Sequence, residues 1–389
     1  MLSVVILMIS FFDDDFSGFS ICCGSLNRRE FRTHISLYLS PHMGSWFKDY
    51  FGFEEPRPNL IKSFVHLDDD DPEDPTLIIG PKRKRIHIGK FEILSSLDLR
   101  GLINENPTSE AGATYDNVSG SVTSFHGGKS TSSTVIQAAS QFNCLEMVGP
   151  SVRPDAGITN YFRDRTQGPA CALACPGGTL YRNYFWNGGR GQCGNDSNQI
   201  DTAKRVGEIL GNDTNKYWEM KNGYLIPGKG KMAELGARLN ADAELQDRIV
   251  DNFSVGVHWN TETKADSSKR ICQVYASAVP VSYAKDTKVS DWACFAKLNL
   301  RGQYMATMLT AVKLQRIRGG RITVYLTQLG GGVFGNQTSW ILDAIEAAVI
   351  AVKDEPLDIR LVHYSPISKS NRFVDLKLKL EEEGIRRNR

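Results

Sequence analysis

Four glycines crowd into residues 330–335 of this 389-residue chain, in the run Leu329-Gly330-Gly331-Gly332-Val333-Phe334-Gly335-Asn336. Glycine lacks a Cβ, so such a run admits positive φ and lets a backbone approach a bound molecule without obstruction. A helical pattern begins at Trp340, and N–H groups in a turn ahead of a helix N-terminus gather positive potential. The pattern predicts a phosphate or pyrophosphate site built by Gly330, Gly331, Gly332, Val333, Phe334, Gly335 and Asn336. The plain alternative, a permissive strand-to-helix turn, needs fewer glycines. A second anion site is predicted where Thr166-Gln167-Gly168-Pro169 leads into the small-residue run 170–174, with Gln167 and Gly168 at the turn and Pro169 at the first helical position. Each loop follows a strand-like segment, so one elongated diphosphate can be held from both sides.

Upstream, Gln141-Phe142-Asn143-Cys144-Leu145-Glu146 ends another strand-like run. An amide such as Asn143 there can bond a ribose hydroxyl pair. Glu146 can act as a general acid or base if burial raises its pKa; otherwise it is an ordinary cap. His258, between Val257 and Trp259, reads as a satisfied half-buried histidine, while Asp164 and Glu262 are candidate second carboxylates. The eight cysteines include no Cys-x-x-Cys pair. Cys171 and Cys175 share a helix face but have no histidine or further thiol beside them, so buried small hydrophobes are expected, with no metal and no cofactor.

These residues need elements to hold them. Residues 134–140 are an apolar run suited to a buried strand, and 115–125 read as a strand and turn. Helices are expected over 199–210, 231–253, 291–316 and 340–352, and strands over 254–259, 271–283, 322–329 and 358–364, with a short segment at 224–226. Strand, helix, strand, glycine-rich loop, helix, strand is the order of a doubly wound α/β sheet, whose ligands sit at the carboxyl ends of the strands. Residues 1–110 are read as a partly disordered N-terminal extension that is ordered near residues 90–102, 111–370 as the α/β domain with an insertion at about 186–253, and 371–389 as a charged tail. Within the extension the acidic run 68–74 (DDDDPED) faces the basic run Lys82-Arg83-Lys84-Arg85 and reads as solvated loop, the basic run also allowing a nuclear address.

Composition sets the bounds. With 41% apolar and 23% charged residues the chain can bury a sizeable core. A net charge of +2 supplies no global field for nucleic acid or an anionic membrane, so no nucleic-acid or membrane partner is expected and an anionic ligand needs a local site. Residues 1–12 are apolar but lack a basic flank and are too short to span a bilayer. Cysteine usage suggests a reducing compartment, and the expected localisation is cytoplasmic. The sequons at Asn117, Asn195, Asn212, Asn252 and Asn336 are discounted, the last because it falls in the glycine loop.

The residues that carry these readings also resemble a known family. Asn117-Val118-Ser119-Gly120-Ser121-Val122-Thr123, followed by residues 135–143 ending in Asn143, is similar to the opening strand and asparagine-bearing strand end of the macrodomain superfamily, which binds ADP-ribose and includes poly(ADP-ribose) glycohydrolases. Gly330-Gly331-Gly332-Val333-Phe334-Gly335-Asn336 resembles the Gly-x-Gly-Val-Phe-x-Asn run of the bacterial-type glycohydrolases. The likeness covers residues 115–180 and 270–365, with 186–253 as extra material. It implies a macrodomain-like three-layer α/β/α sandwich with a mixed central sheet, plus the N-terminal extension. It further implies that Asn143 meets the distal ribose, that the backbones of Gly168 and residues 331–336 meet the diphosphate, and that Phe334 is one wall for the adenine. The family's glycine-rich signature leads to paired glutamates, one of them the general acid, and this chain lacks that pair. Glu146 is then the acid/base of a hydrolase acting on ADP-ribosyl linkages, with ADP-ribose, a related nucleotide or an ADP-ribosylated protein as partner. The alternatives are a non-catalytic ADP-ribose reader and an interaction scaffold using Tyr181, Tyr184, Phe185 and Trp186.

Overall fold

The computed structural model describes residues 46–103, 112–128, 133–368 and 372–386. The apolar opening run, Cys22 and Cys23 lie outside the described residues. The described residues all belong to one compact unit.

The described residues form twelve strands, β1 to β12 in chain order. β1 (Val65–Asp68), β2 (Thr76–Ile79) and β3 (Lys84–His87) form a small antiparallel sheet. β4 (Phe91–Ser95), β5 (Thr114–Ser119), β6 (Thr134–Ser140), β9 (Ser254–Glu262), β10 (Arg270–Ser277), β11 (Ile322–Leu326) and β12 (Leu357–His363) form a seven-stranded sheet in the order β4-β9-β10-β6-β11-β12-β5. β7 (Trp218–Lys221) and β8 (Tyr224–Pro227) form a hairpin. The five strands from β10 to β5 are parallel, while β9 runs antiparallel to both β10 and β4. The sheet is therefore mixed.

Both faces of the sheet are covered, as strand alternation requires. On β6, Val135 joins the largest apolar cluster whereas Ile136 and Ala138 join a different one; on β10, Cys272, Val274 and Ala276 divide in the same way from Ile271 and Tyr275. Helix Val289–Arg318, about 45 Å long at 1.5 Å per residue, crosses the first face with helices Lys231–Asn240, Ala243–Asn252 and Thr338–Ala351 packed against it. Helices Val122–His126 and Gln167–Ala174 lie together beside β6 on the other face. The architecture is a three-layer α/β/α sandwich. Among the described residues no helix is long and apolar enough to cross a membrane.

Several boundaries differ from those the sequence suggests. Residues read as extension supply β4, an edge strand paired with β9, and helix Ser96–Leu102, which begins with a capping box between Ser95 and Asp98. The acidic and basic runs face each other across a small sheet: Arg85 meets Asp68 at 2.8 Å, His87 meets Asp74 at 3.0 Å and Lys90 meets Glu73 at 2.8 Å. The segment read as a tail forms helix Arg372–Glu382, which buries Phe373, Leu376 and Leu380. Residues 231–253 form two helices, because Asp242 stops the first and caps the second by accepting from the Leu245 N–H.

Candidate functional site

The site lies at the carboxyl ends of β6, β10 and β11. β11 pairs with β6 only as far as Tyr325 opposite Ile136, and then peels away. The Gln167 side chain takes over the abandoned ladder, accepting from the Ala139 N–H and donating to the Gln137 carbonyl, each at 2.7 Å. The crevice so opened is a cavity of about 200 Å³. Its walls come from residues 139–141 and 146–148 at and after the end of β6, from Asp164 and residues 166–168, from Ala278 and Tyr283 after β10, from residues 327–330 and 332–334 after β11, and from Tyr224 of the hairpin.

Glu146 forms the floor of this wall and is 3% exposed. Burial pushes its carboxyl pKa well above the usual range and the neighbouring Asp164 adds to this, while Ser140 and Arg182 oppose without cancelling. Its Oε1 has no hydrogen-bond partner among the described residues. A carboxyl whose pKa is raised by burial has the property that a general acid needs. Asp164, also on the cleft wall, accepts from the Thr166 N–H at 2.8 Å.

The loop bearing Glu146 is tied at many points. Cys144 sits at φ 58, a left-handed conformation that a side chain adopts only where its surroundings enforce it. The turn is braced by Arg182, fully buried, whose Nε donates to the Cys144 carbonyl at 3.0 Å, and by the Cys144 N–H, which donates to the Gln141 carbonyl at 2.9 Å. Its guanidinium also donates to Thr179 Oγ1 at 3.2 Å and His258 Nδ1 at 3.1 Å, and lies 3.6 Å from the Tyr275 ring centroid. A guanidinium offers only donors, so His258 Nδ1 is an acceptor and the ring is neutral. Burial holds the His258 pKa well below its ordinary value, with Arg182 adding to the effect. His258 is thus fully buried rather than half-buried, and it does not line the cleft. Glu262 is likewise elsewhere, bonded to Tyr50 and to the His87 N–H. Tyr161 accepts from the Glu146 N–H at 2.9 Å, and Tyr224 donates to the Met147 carbonyl at 2.6 Å.

Gly168 presses on Glu146 from the other side. A Cβ there would stand 1.9 Å from the Ala139 carbonyl oxygen and 2.3 Å from Glu146 Oε2. The helix begins at Gln167, which puts Pro169 at its third position rather than its first, still within the turn where proline costs no hydrogen bond. The Gln167 and Gly168 N–H groups have no partner within the protein among the described residues. Both amide ends of Gln167 are spent on β6, and the residue lines the cleft.

The glycine run divides its labour. Gly330 and Gly335 both adopt φ 71, and a Cβ would meet Ala278 Cβ at 2.4 Å and Ser282 Oγ at 2.1 Å respectively. Asn336 is buried, returns its N–H to the Gly330 carbonyl at 2.9 Å and donates its amide to the Val279 carbonyl at 2.9 Å, which ties the loop to the segment after β10. The Gly331 N–H closes a turn on the Gln328 carbonyl. Gly331, Gly335 and Asn336 thus shape the loop without lining the cleft, whereas Gly330, Gly332, Val333 and Phe334 line it. The N–H groups of Gly332, Val333 and Phe334 make no hydrogen bond within the protein among the described residues. Consecutive unspent N–H groups are a nest for an anion.

Asn143 stands outside the cleft. Fully buried, it donates to Gln199 Oε1 at 3.1 Å and accepts from the Leu145 N–H at 3.2 Å. The turn of the β7–β8 hairpin covers it: a Cβ on Gly223 would come within 2.5 Å of its Oδ1. The insertion thus removes from Asn143 the ribose-facing position expected of it. The same hairpin brings in Tyr224, which the sequence reading did not single out. Tyr224, Tyr283 and Phe334 form a ring trio with centroids 5.1, 5.6 and 5.5 Å apart on one wall of the cleft. The signal for Tyr224 was present in Asn222-Gly223, both at positive φ, the pair that a two-residue hairpin turn favours. Thr327 and Gln328 also line the cleft, and no local motif marks them.

No protein-family model matches the chain, and no curated protein matches it. Among solved structures it is similar to the poly(ADP-ribose) glycohydrolase of Thermomonospora curvata, with 7% identity and a TM-score of 0.40 over 88% of this chain and 100% of that one. It is also similar to the poly(ADP-ribose) glycohydrolase of Deinococcus radiodurans in complex with ADP-ribose, with 10% identity and a TM-score of 0.38 over 76% of this chain and 94% of that one. A macrodomain mutant of Oceanobacillus iheyensis is similar at 13% identity and a TM-score of 0.31, over 76% and 100%. The α/β/α fold described above stands on its own strand order and register, and the site on its own geometry.

Proposed function

We propose that this protein binds ADP-ribose or a related nucleotide diphosphate in the cleft and hydrolyses an ADP-ribosyl linkage, with Glu146 as general acid. One observation carries the reading: a buried Glu146 carboxyl, its pKa raised by desolvation, lines the same crevice as Gly332, Val333 and Phe334, whose N–H groups are unspent among the described residues. A diphosphate seated on those groups and on the Gln167 and Gly168 N–H groups places its attached sugar beside Glu146. The Tyr224, Tyr283 and Phe334 rings offer an apolar wall to a flat or sugar-like part of the ligand.

In the reaction the Glu146 proton passes to the departing oxygen as the glycosidic C–O bond breaks. Water adds to the anomeric carbon, and its proton restores the acid. Asp164 supplies the second carboxylate to steady the developing positive charge or to orient that water. An ADP-ribosylated protein is the natural macromolecular substrate, since the cleft opens to solvent where Val333 is 59% exposed.

Calorimetric titration with ADP-ribose, with AMP and NAD as comparators, tests the binding. Gly332 has open space where a Cβ would be, so Gly332→Glu folds normally and sets a carboxylate against the diphosphate. The expected result is ADP-ribose binding that this variant loses; absence of binding to folded wild-type protein refutes the proposal. Loss of turnover with retained affinity in Glu146→Gln then separates a hydrolase from a reader.

A further inference from the structure

Gln328 lines the cleft at the end of β11 that faces β12 and β5, across β11 from the strand that leads to Glu146. Its amide is the last member of a chain of hydrogen bonds whose directions can be worked out from one end. The Phe373 carbonyl can only accept, so the Asn117 amide nitrogen donates to it, at 3.0 Å. Asn117 Oδ1 is thereby turned to His363 Nε2, 2.8 Å away, and since a carbonyl oxygen only accepts, Nε2 carries the proton. His363 is 6% exposed, has the Phe373 ring against it with centroids 5.3 Å apart, and is held neutral by burial. A neutral ring with its proton on Nε2 has a lone pair on Nδ1. Gln328 Nε2, 3.0 Å from that lone pair, must donate to it. The amide nitrogen is therefore committed inward. Gln328 Oε1 has no partner within the protein among the described residues, and it is left for the cleft.

We infer that Gln328 is a specificity-determining residue which offers the ligand a hydrogen-bond acceptor of fixed polarity, and that Asn117 and His363 are positioning residues that fix it. The inference rests on the reading of the cleft as a nucleotide site and deepens it. An amide oxygen repels phosphate oxygens and selects an N–H or O–H donor, so the diphosphate is directed to the Gly332–Phe334 nest and a donor-bearing group to Gln328. In a nucleotide that donor is either an exocyclic amino group of the base or a ribose hydroxyl. An unlocked glutamine would offer either end of its amide to either kind of group and would not discriminate.

Two measurements on the full chain test this. Nitrogen-15 ring shifts of His363 in the ligand-free protein at pH 7 are expected to show a protonated Nε2 and a bare Nδ1; the opposite tautomer, or an imidazolium, overturns the inference whatever binds. Calorimetry then compares ADP-ribose with its hypoxanthine counterpart, in which the amino group is replaced by an oxo group, and with its 2′-deoxyribose counterparts. Wild type is expected to bind one of these roughly tenfold more weakly than ADP-ribose, about the worth of one neutral hydrogen bond, and Gln328→Leu is expected to close that gap. A loss with the hypoxanthine analogue assigns the donor to the base, and a loss with a deoxyribose analogue assigns it to the sugar. If ADP-ribose binds but every analogue matches it within twofold, the inference fails while the proposed function stands. If ADP-ribose does not bind, both fail.

Discussion

The two glycine-rich loops read alike in sequence and differ in what surrounds them. Gly168 is walled in by the Ala139 carbonyl and the Glu146 carboxyl, and its neighbour Gln167 is clamped to β6 through both amide ends. Gly332 has nothing near its missing side chain, Val333 next to it is 59% exposed, and three successive N–H groups there are unspent. The first loop is a rigid seat that keeps the acid buried, and its glycine answers to the protein's own backbone. The second is open on the cleft side at Gly332 and Val333, anchored by Gly330, Gly335 and Asn336 and by the Phe334 carbonyl, which accepts from the Ser282 N–H. A glycine therefore reports a close approach of something, and only its neighbours say whether that is protein or ligand.

The sharpest way to break the contrast is at the carboxyl that the first loop protects. Glu146→Gln should cut hydrolytic turnover by about 10²- to 10⁴-fold with ADP-ribose affinity retained, as measured by single-turnover kinetics beside calorimetry. Next in size is Gly168→Ala, whose new methyl must displace either strand backbone or Glu146. Urea unfolding should show a loss of about 3 kcal/mol or more, at the upper end for overpacking a rigid site.

Acid should also act on the walled side first. His126 donates from Nδ1 to the Val122 carbonyl and accepts at Nε2 from Gln273, whose amide also holds the Cys171 carbonyl of helix Gln167–Ala174. Burial lowers its pKa to about 4 from 6.5. With the folded pKa below the unfolded one, the stability it confers is complete above pH 6.5 and drains away as pH falls toward 4. Unfolding free energy should fall by about 2 kcal/mol between pH 7 and 4.5 from this group, and His126→Gln should flatten that part of the profile in urea titrations at both pH values. The smallest effect belongs to the open loop. Gly332→Ala should change stability by less than about 0.5 kcal/mol in the same assay, because nothing lies within reach of its methyl. A loss comparable to that of Gly168→Ala would mean that the two loops are built alike after all.

Much of the fold was legible because periodicity is a local signal. The buried strand at residues 134–140 coincides with β6, and the long helix, the final helix and the last strand were each placed to within a few residues. The charged termini were misjudged for a physical reason. Charge runs read as solvated, yet Arg85 with Asp68 and Lys90 with Glu73 neutralise each other across a sheet, and Phe373, Leu376 and Leu380 are apolar points on an otherwise charged helix. Asn143 was misplaced because its surroundings come from a hairpin about 80 residues further on in the chain. Tyr224 could have been found from Asn222-Gly223, whereas Gln328 could not.

Taken alone, the amino-acid sequence determined most of the strands and helices of the large sheet and its layers, where glycine permits a backbone to approach something closely, and that Glu146 follows a buried strand. Those properties depend on side-chain period and on the presence or absence of a Cβ, both of which act over a few residues. The tertiary structure decided which glycines face the cleft and which face protein, that burial raises the Glu146 pKa, and that Arg182 braces the left-handed turn at Cys144. It also decided the polarity of Gln328, through a hydrogen-bond chain joining β11, β12, β5 and the C-terminal helix. Desolvation and hydrogen-bond direction are set by everything within a few ångströms, and here those neighbours come from segments up to more than 200 residues apart in sequence.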